Sequence, residues 1–380
     1  MAKQAYVYSG TDWVPLASEV TNLSSYQTKA LNQFPYRNLI INGAMQVAQR
    51  ATSVASITTS GYRTVDRFGH NVTTLGTWTM SQENDAPTGS GFRKSTKVLC
   101  TTADASPAAG DYSSIYQILE GQNLQAIKKG TAAAEQLTIS FWVKSNVTGT
   151  YIVAIYDNDN TRSVSKSYTV NASGTWEYKT ITFPADTTGA FDNDNGASLI
   201  LEFVMGSGTD RTSGTLQTTW GSYTAANYAT GQTNLASATN NYWQVTGVQL
   251  EVGDTATPFE FLPAQQELAQ CQRYYHRYTA DEAYAQFANG MTWSTTSSRF
   301  AIQMPTTMRT VPTIGSSNLG TKSSNGSIQA VTSFALESAC SSKHAIGTIA
   351  TVAAGLTANY PAVLQANNNT SAYLEVIAEL

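Results

Sequence analysis

The chain has 380 residues, 41% of them hydrophobic and 13% charged, with 22 Lys and Arg against 26 Asp and Glu. That length holds two or three domains with cores of their own, and the hydrophobic share excludes a disordered chain. A net charge of -4, with no basic cluster beyond Arg93-Lys94 and Lys128-Lys129, excludes nucleic-acid binding through the phosphate backbone.

The charged share is about half the usual value of about 25%. Thr, Ser, Asn, Gln and Gly must therefore carry the polar surface, a composition that suits strands and tight turns. No stretch reaches the roughly 20 apolar residues of a membrane-spanning helix. The first ten residues lack the basic and apolar segments of a signal peptide, so the expected site of synthesis is a cytoplasm, without export by the general secretory route. Cys100, Cys271 and Cys340 are odd in number and far apart, which suggests neither a disulfide framework nor a metal site.

In chain order, residues 1–35 open with Ala5-Tyr-Val-Tyr8 and Trp13-Val14 around a Gly-containing turn, a hairpin pattern closed by Pro15. The run that follows carries only sparse apolar residues. It cannot bury a core alone and is expected to pack on copies of itself or on a docking partner. Residues 36–262 carry many short apolar runs between Gly, Asn and Asp. Leu137-Thr-Ile-Ser-Phe-Trp-Val143 and Leu199-Ile-Leu-Glu-Phe-Val-Met205 are strong examples, and residues 151–156 are apolar throughout, as in a strand buried on both faces. Strands in such number, with no amphipathic helix between them, predict an antiparallel jelly-roll β-sandwich. Pro263 then opens one helix, predicted over residues 263–278, with Leu268, Cys271 and Tyr275 on one stripe. It reads as a short linker helix whose stripe is available for self-association. Residues 279–380 return to strands separated by Gly/Ser/Asn turns and predict a smaller C-terminal β-sandwich as a distal domain.

Three stretches carry a resemblance. They are Tyr36-Arg-Asn-Leu-Ile-Ile-Asn-Gly-Ala-Met-Gln-Val-Ala-Gln-Arg50, Trp243-Gln-Val-Thr-Gly-Val-Gln-Leu-Glu-Val-Gly-Asp-Thr-Ala-Thr-Pro-Phe-Glu260 followed by Glu267-Leu-Ala-Gln-Cys-Gln-Arg-Tyr-Tyr275, and Met304-Pro-Thr-Thr-Met-Arg-Thr-Val-Pro-Thr313. In order and spacing the chain resembles tail-fibre-like virion structural proteins of tailed bacteriophages. The resemblance implies a carbohydrate-binding-module-like sandwich, a distal β domain, a homotrimer and attachment to a virion. The expected function is thus a trimeric tail fibre or spike subunit that mediates host attachment. A capsid (head) fibre or decoration protein built from the same modules is the alternative, and a polysaccharide depolymerase is the less favoured reading. Residues 1–35 are expected to hold other virion proteins, and a host surface glycan or protein is the expected distal partner.

No catalytic constellation stands out. His70, His276 and His344 are isolated, and the stacked repeats of a parallel β-helix are missing, so no enzymatic activity is expected. Two acidic loops, Asp157-Asn-Asp-Asn160 and Asp192-Asn-Asp-Asn-Gly196, supply alternating oxygen donors, and Asp157, Asp159, Asp192 and Asp194 are calcium candidates, although solvated turns are the simpler reading. No other cofactor is expected. Aromatic rings stack on sugars, and Trp220, Tyr223 and Tyr228 in a long polar loop, with Tyr284 and Trp293 early in the distal domain, are the stacking candidates. Trp142, Trp176 and Trp243 lie in apolar strands and read as core. Host contact is expected on residues 279–380, whose turns are the longest.

Overall fold

The computed structural model describes residues 6–8, 13–15 and 36–380. Of the expected attachment segment it describes the hairpin β1 (Tyr6–Tyr8) and β2 (Trp13–Pro15), with Val7 opposite Val14. The rest of the reading for residues 1–35 lies outside the described residues.

The next strands are β3 (Ser53–Ile57), β4 (Gly61–Tyr62), β5 (Gly69–Thr73), β6 (Thr77–Glu83), β7 (Ser95–Thr102) and β8 (Tyr112–Glu120). They continue as β9 (Leu137–Ser145), β10 (Gly149–Asp157), β11 (Arg162–Val170), β12 (Glu177–Phe183), β13 (Ala197–Ser207), β14 (Gly221–Ser222) and β15 (Tyr242–Val252). These strands form a seven-stranded sheet in the order β14-β11-β10-β13-β8-β5-β4 and a six-stranded sheet in the order β12-β9-β15-β7-β6-β3. The antiparallel jelly-roll sandwich expected from the sequence is present.

Period-two alternation sets which residues meet between the sheets. On β13, Leu199, Leu201, Phe203 and Met205 enter the core with Phe141, Tyr151, Val153 and Trp243. Each fully buried side chain of this size contributes roughly 1.5–3 kcal/mol. Both fully buried indoles find an acceptor: that of Trp243 donates to the Tyr168 hydroxyl at 3.0 Å and that of Trp78 to Leu75 O at 2.7 Å. His70 is also core, 2.9 Å from the Ser113 hydroxyl, and burial lowers its pKa to about 3.

The Asn42-Gly43 stretch is a turn tucked against β15, not a strand. Leu39 N–H donates to Leu250 O and Val248 N–H to Gly43 O. A Cβ on Gly43 would stand 2.1 Å from Val248 O, so only glycine allows this approach. The opening and closing stretches of the sandwich therefore clasp each other.

The helix spans Ala264–Gln272 and is shorter than the predicted 263–278. Past it, Tyr275, Tyr278 and Thr279 favour extended backbone, and they form β16 (Tyr275–Thr279) on a waiting partner strand. This corrects the proposed interface stripe. Cys271 and Tyr275 are buried within the subunit and are not open to a second copy. Only Leu268 remains at the surface, in a recess with Phe259 and Phe261.

The remaining strands are β17 (Gln286–Thr292), β18 (Ser297–Gln303), β19 (Thr313–Ser317), β20 (Leu319–Ser323), β21 (Gln329–Glu337), β22 (Ala345–Val352), β23 (Pro361–Ala366) and β24 (Tyr373–Ile377). Residues 279–380 are strand-rich as expected, but their main sheet does not stay open as one layer of a smaller sandwich. It closes into a barrel, β17-β18-β22-β21-β20-β23, beside the three-stranded sheet β16-β24-β19. Pairing of β17 with β23 makes the closure and removes the edges an open sheet would expose.

Barrel side and sandwich meet through buried charge. Arg67, 1% exposed, pairs with Glu379 and lies 3.5 Å from the centre of the Tyr274 ring. Arg50 also reaches Glu379, at 3.0 Å, and sits 3.5 Å from the centre of Tyr275, whose hydroxyl donates to Glu375 at 2.5 Å. Arg273 clamps Glu120 through two nitrogens at 2.8 and 2.7 Å. Within this junction burial lifts the Asp66 carboxyl to about 6, against hydrogen bonds from Gln49 and the charge of Arg50.

Candidate ligand-binding recess

The apolar run at residues 151–156 has two faces to bury, and the structure shows what each meets. Tyr151, Val153 and Ile155 join the main core. Ile152 and Ala154 point to the other side of the seven-stranded sheet, where they pack with Tyr112, Val204, Tyr228 and Ala229 in a second, smaller core. The cover of that core is the long polar chain between β13 and β15. The loop leaves β13 at Gly208, where a Cβ would lie 1.8 Å from Ala108 O. It is then pinned by Tyr223 N–H to Thr161 O and by Ala229 N–H to Arg211 O.

Between loop and sheet lies a recess of about 230 Å³, lined by Asn71, Tyr112, Tyr156, Ile200, Glu202, Arg211, Tyr223 and Tyr228. Glu202 organises it. Its carboxylate accepts from the hydroxyls of Tyr112 at 2.9 Å, Tyr228 at 2.7 Å and Ser114 at 3.2 Å. Burial, reinforced by the Glu202 charge, pushes the Tyr112 and Tyr228 phenols well above their usual range, so both stay protonated donors at any physiological pH. Tyr223 meets Tyr156 and Tyr228 edge to face, with ring centres 5.3 and 5.4 Å apart. The Arg211 guanidinium lies 4.3 Å from the centre of the Tyr112 ring. The result is a small cavity with aromatic walls and fixed hydroxyls.

Of the five aromatic residues singled out in the sequence, Tyr223 and Tyr228 stand together here. Trp220 does not join them: it packs on the main core, and its indole donates to Pro184 O at 2.8 Å. Tyr284 and Trp293 are 52% and 57% exposed on the barrel side, and Arg299 lies 4.4 Å from the centre of the Trp293 ring. Tyr112, Tyr156, Glu202 and Arg211 escaped sequence reasoning. The one signal that could have found Glu202 is its position as a lone acid inside an apolar strand.

The two acidic loops do come side by side, Asp159 accepting from Asp192 N–H at 2.9 Å and Asp194 from Gly196 N–H at 2.7 Å. At Asp157 the cation is a side chain. The buried Lys129 ammonium lies 2.5 Å from Asp157 and 3.1 Å from Asp186, and donates to Thr188 O and Gly189 O at 2.9 and 2.7 Å. Burial alone would raise Asp186, but hydrogen bonds from Arg162 and Lys129 outweigh it and hold the carboxyl low. Asp157 is thus engaged, Asp192 and Asp194 face solvent, and among the described residues no group of three or more His, Cys, Asp or Glu is placed to hold a metal ion.

No family model matches the chain, and no curated protein matches it in sequence. Solved structures match its fold. One is the enzymatically active domain of bacteriophage CBA120 tailspike protein 4, at 14% identity and a TM-score of 0.31, over 58% of this chain and 22% of that one. This chain therefore spans about a fifth of the tailspike structure. Another is the family 11 carbohydrate-binding module of a Clostridium thermocellum cellulosomal cellulase, at 13% identity and 0.28, over 53% of this chain and 96% of the module. A third is a family 61 module in complex with β-1,4-galactotriose, at 9% identity and 0.27, over 57% and 99%. The likeness is one of β fold, at identities too low to carry a function to this chain.

Proposed function

We propose that the chain is a glycan-contacting structural subunit of a tailed-bacteriophage particle, and that the recess between β10, β13 and the 208–234 loop is its glycan contact. The observation that carries the contact is a wall of four tyrosines, Tyr112, Tyr156, Tyr223 and Tyr228, in which Glu202 holds the Tyr112 and Tyr228 hydroxyls in place. Rigid aromatic faces flanked by oriented polar groups match a pyranose, which is apolar on its ring faces and hydroxylated at its rim. Binding is favoured over cleavage because a glycosidase needs two carboxyl groups flanking the scissile bond. Glu202 is the one carboxylate among the residues lining the recess, and three hydroxyls already occupy it.

The virion assignment draws support from the three family-like stretches, and so does assembly as a homotrimer attached through residues 1–35. An apolar surface beside the helix, with Phe261 55% exposed next to Leu268, gives self-association a physical motive. Sites this small bind weakly one at a time, and several copies on a particle would raise the avidity. The test is an array of bacterial surface oligosaccharides probed with the full chain and with its Tyr223→Ala variant, beside immunogold labelling of intact particles. Selective glycan signals that vanish in the variant, with label on a particle appendage, are expected. Signals unchanged in a folded Tyr223→Ala protein would overturn the recess, and unlabelled particles would overturn the virion role.

A further inference from the structure

The donors and acceptors in the recess do not balance, and the imbalance selects among sugars. Glu202 is committed: both Tyr112 and Tyr228 donate to its Oε2 and Ser114 to its Oε1. It is also the one charge here that opposes an anion, and its three partners disperse it. Asn71 has its carbonyl oxygen engaged by the Ser60 hydroxyl at 2.8 Å, which leaves its Nδ2 amide without an acceptor among the described residues. Arg211 is the stronger case. Its guanidinium lines the recess, faces the Tyr112 ring and approaches the Tyr223 hydroxyl, and among the described residues no carboxylate forms an ion pair with it. By contrast Arg50, Arg67, Arg162 and Arg273 are each paired with an acid, and Arg63, Arg277 and Arg309, which are not, donate to backbone carbonyls. A guanidinium offers five N–H donors in a planar fork that matches a carboxylate. The recess thus presents a surplus of fixed donors, one of them charged.

Resting on the reading of this recess as a glycan contact, we infer that it takes a carboxylate-bearing pyranose, a uronic-acid-type residue of a bacterial surface polysaccharide. The carboxylate sits on Arg211 with Asn71 beside it, and the ring lies along Tyr156 and Tyr223. A recess of about 230 Å³ has room for one such residue.

The test uses the full chain and matched pairs of methyl glycosides that differ only in oxidation at C6: glucuronide and glucoside, galacturonide and galactoside, mannuronide and mannoside. Affinities are measured by protein-observed titration at low and at physiological salt. At least one uronide is expected to bind about tenfold more tightly than its neutral partner, the scale of a charge-assisted hydrogen bond, and to lose part of that margin as salt rises. Arg211→Gln removes the margin between each uronide and its neutral partner, and Asn71→Ala removes part of it. Melting curves confirm that both variants fold, and either one alone is enough to read the margin. Neutral sugars that bind as well as their uronides, and lose binding in Tyr223→Ala, would leave the recess standing and overturn the carboxylate. A margin that persists in Arg211→Gln overturns it too. Binding by none of the six at about 10 mM overturns both the carboxylate and the recess.

Discussion

Two clusters in this molecule are built from the same three side chains, arginine, tyrosine and glutamate, and they do opposite things. At the junction between sandwich and barrel, Arg67 and Arg50 lie on tyrosine rings and share Glu379, so each guanidinium has a carboxylate partner and Arg67 is sealed from water. In the recess, Arg211 lies on a tyrosine ring as well, but the nearby Glu202 is taken up by hydroxyls and a cavity is left open. The closed cluster is a joint. The open one has donors to spare. Composition therefore does not separate a structural cluster from a binding one; the pairing of charge and the presence of space do.

The largest effect that would sharpen this contrast is expected from Glu379→Gln. It leaves Arg67 buried without a counter-charge, and loss of one partner from a buried pair costs about 3–5 kcal/mol. The exposed Arg299–Glu337 pair at 3.2 Å is the control, and Glu337→Gln should cost under about 1 kcal/mol. Denaturant unfolding of both variants measures the difference. Equal small effects would mean that the junction is not the sealed joint described.

A second effect follows from the raised Asp66 carboxyl. Its folded pKa of about 6 lies above the ordinary 3.8, so between these values the folded state holds more protons than the unfolded one. Its contribution is fully present below about pH 4 and is lost as pH rises through 6, on the order of 3 kcal/mol. Asp66→Asn, which mimics the protonated form, should flatten the stability profile between pH 4 and 7 relative to the natural chain. An unchanged profile in the variant would place the titration elsewhere.

The smallest effect is expected at the acidic loops. With the Lys129 ammonium already held by Asp157 and Asp186, millimolar calcium should leave the melting temperature of the natural protein unmoved. A calcium-dependent rise of several degrees would show that Asp159, Asp192 and Asp194 gather a metal after all.

What was legible in the sequence was local. Alternation and turn residues give the strands of the sandwich, and the unbroken apolar run at 151–156 correctly announces a strand covered on both faces, because a second core under the loop is a local demand of that run. The helix was overextended because Leu268, Cys271 and Tyr275 satisfy a helical period whether or not the last of them is helical. What ended the helix was β24, a partner about a hundred residues away. Tyr223 and Tyr228 were visible as aromatics out of place in a polar stretch. Glu202 was hidden inside an apolar strand, and Lys129 read only as half of a basic pair, because the partners of both lie far along the chain. Closure of the barrel was invisible for the same reason, since β17 meets β23 across about seventy residues of chain.

The central claim is that glycan contact lies in the sandwich recess rather than on the exposed barrel aromatics. Its most direct test is calorimetric titration of one array-identified oligosaccharide into the natural chain, Tyr223→Ala and Trp293→Ala, side by side. Loss of a stacking ring costs about 0.5–1.5 kcal/mol beyond the area it buries, so Tyr223→Ala should weaken binding about tenfold while Trp293→Ala binds as the natural chain does. The reverse pattern, with Trp293→Ala inactive and Tyr223→Ala intact, would contradict the account and move the contact to the barrel.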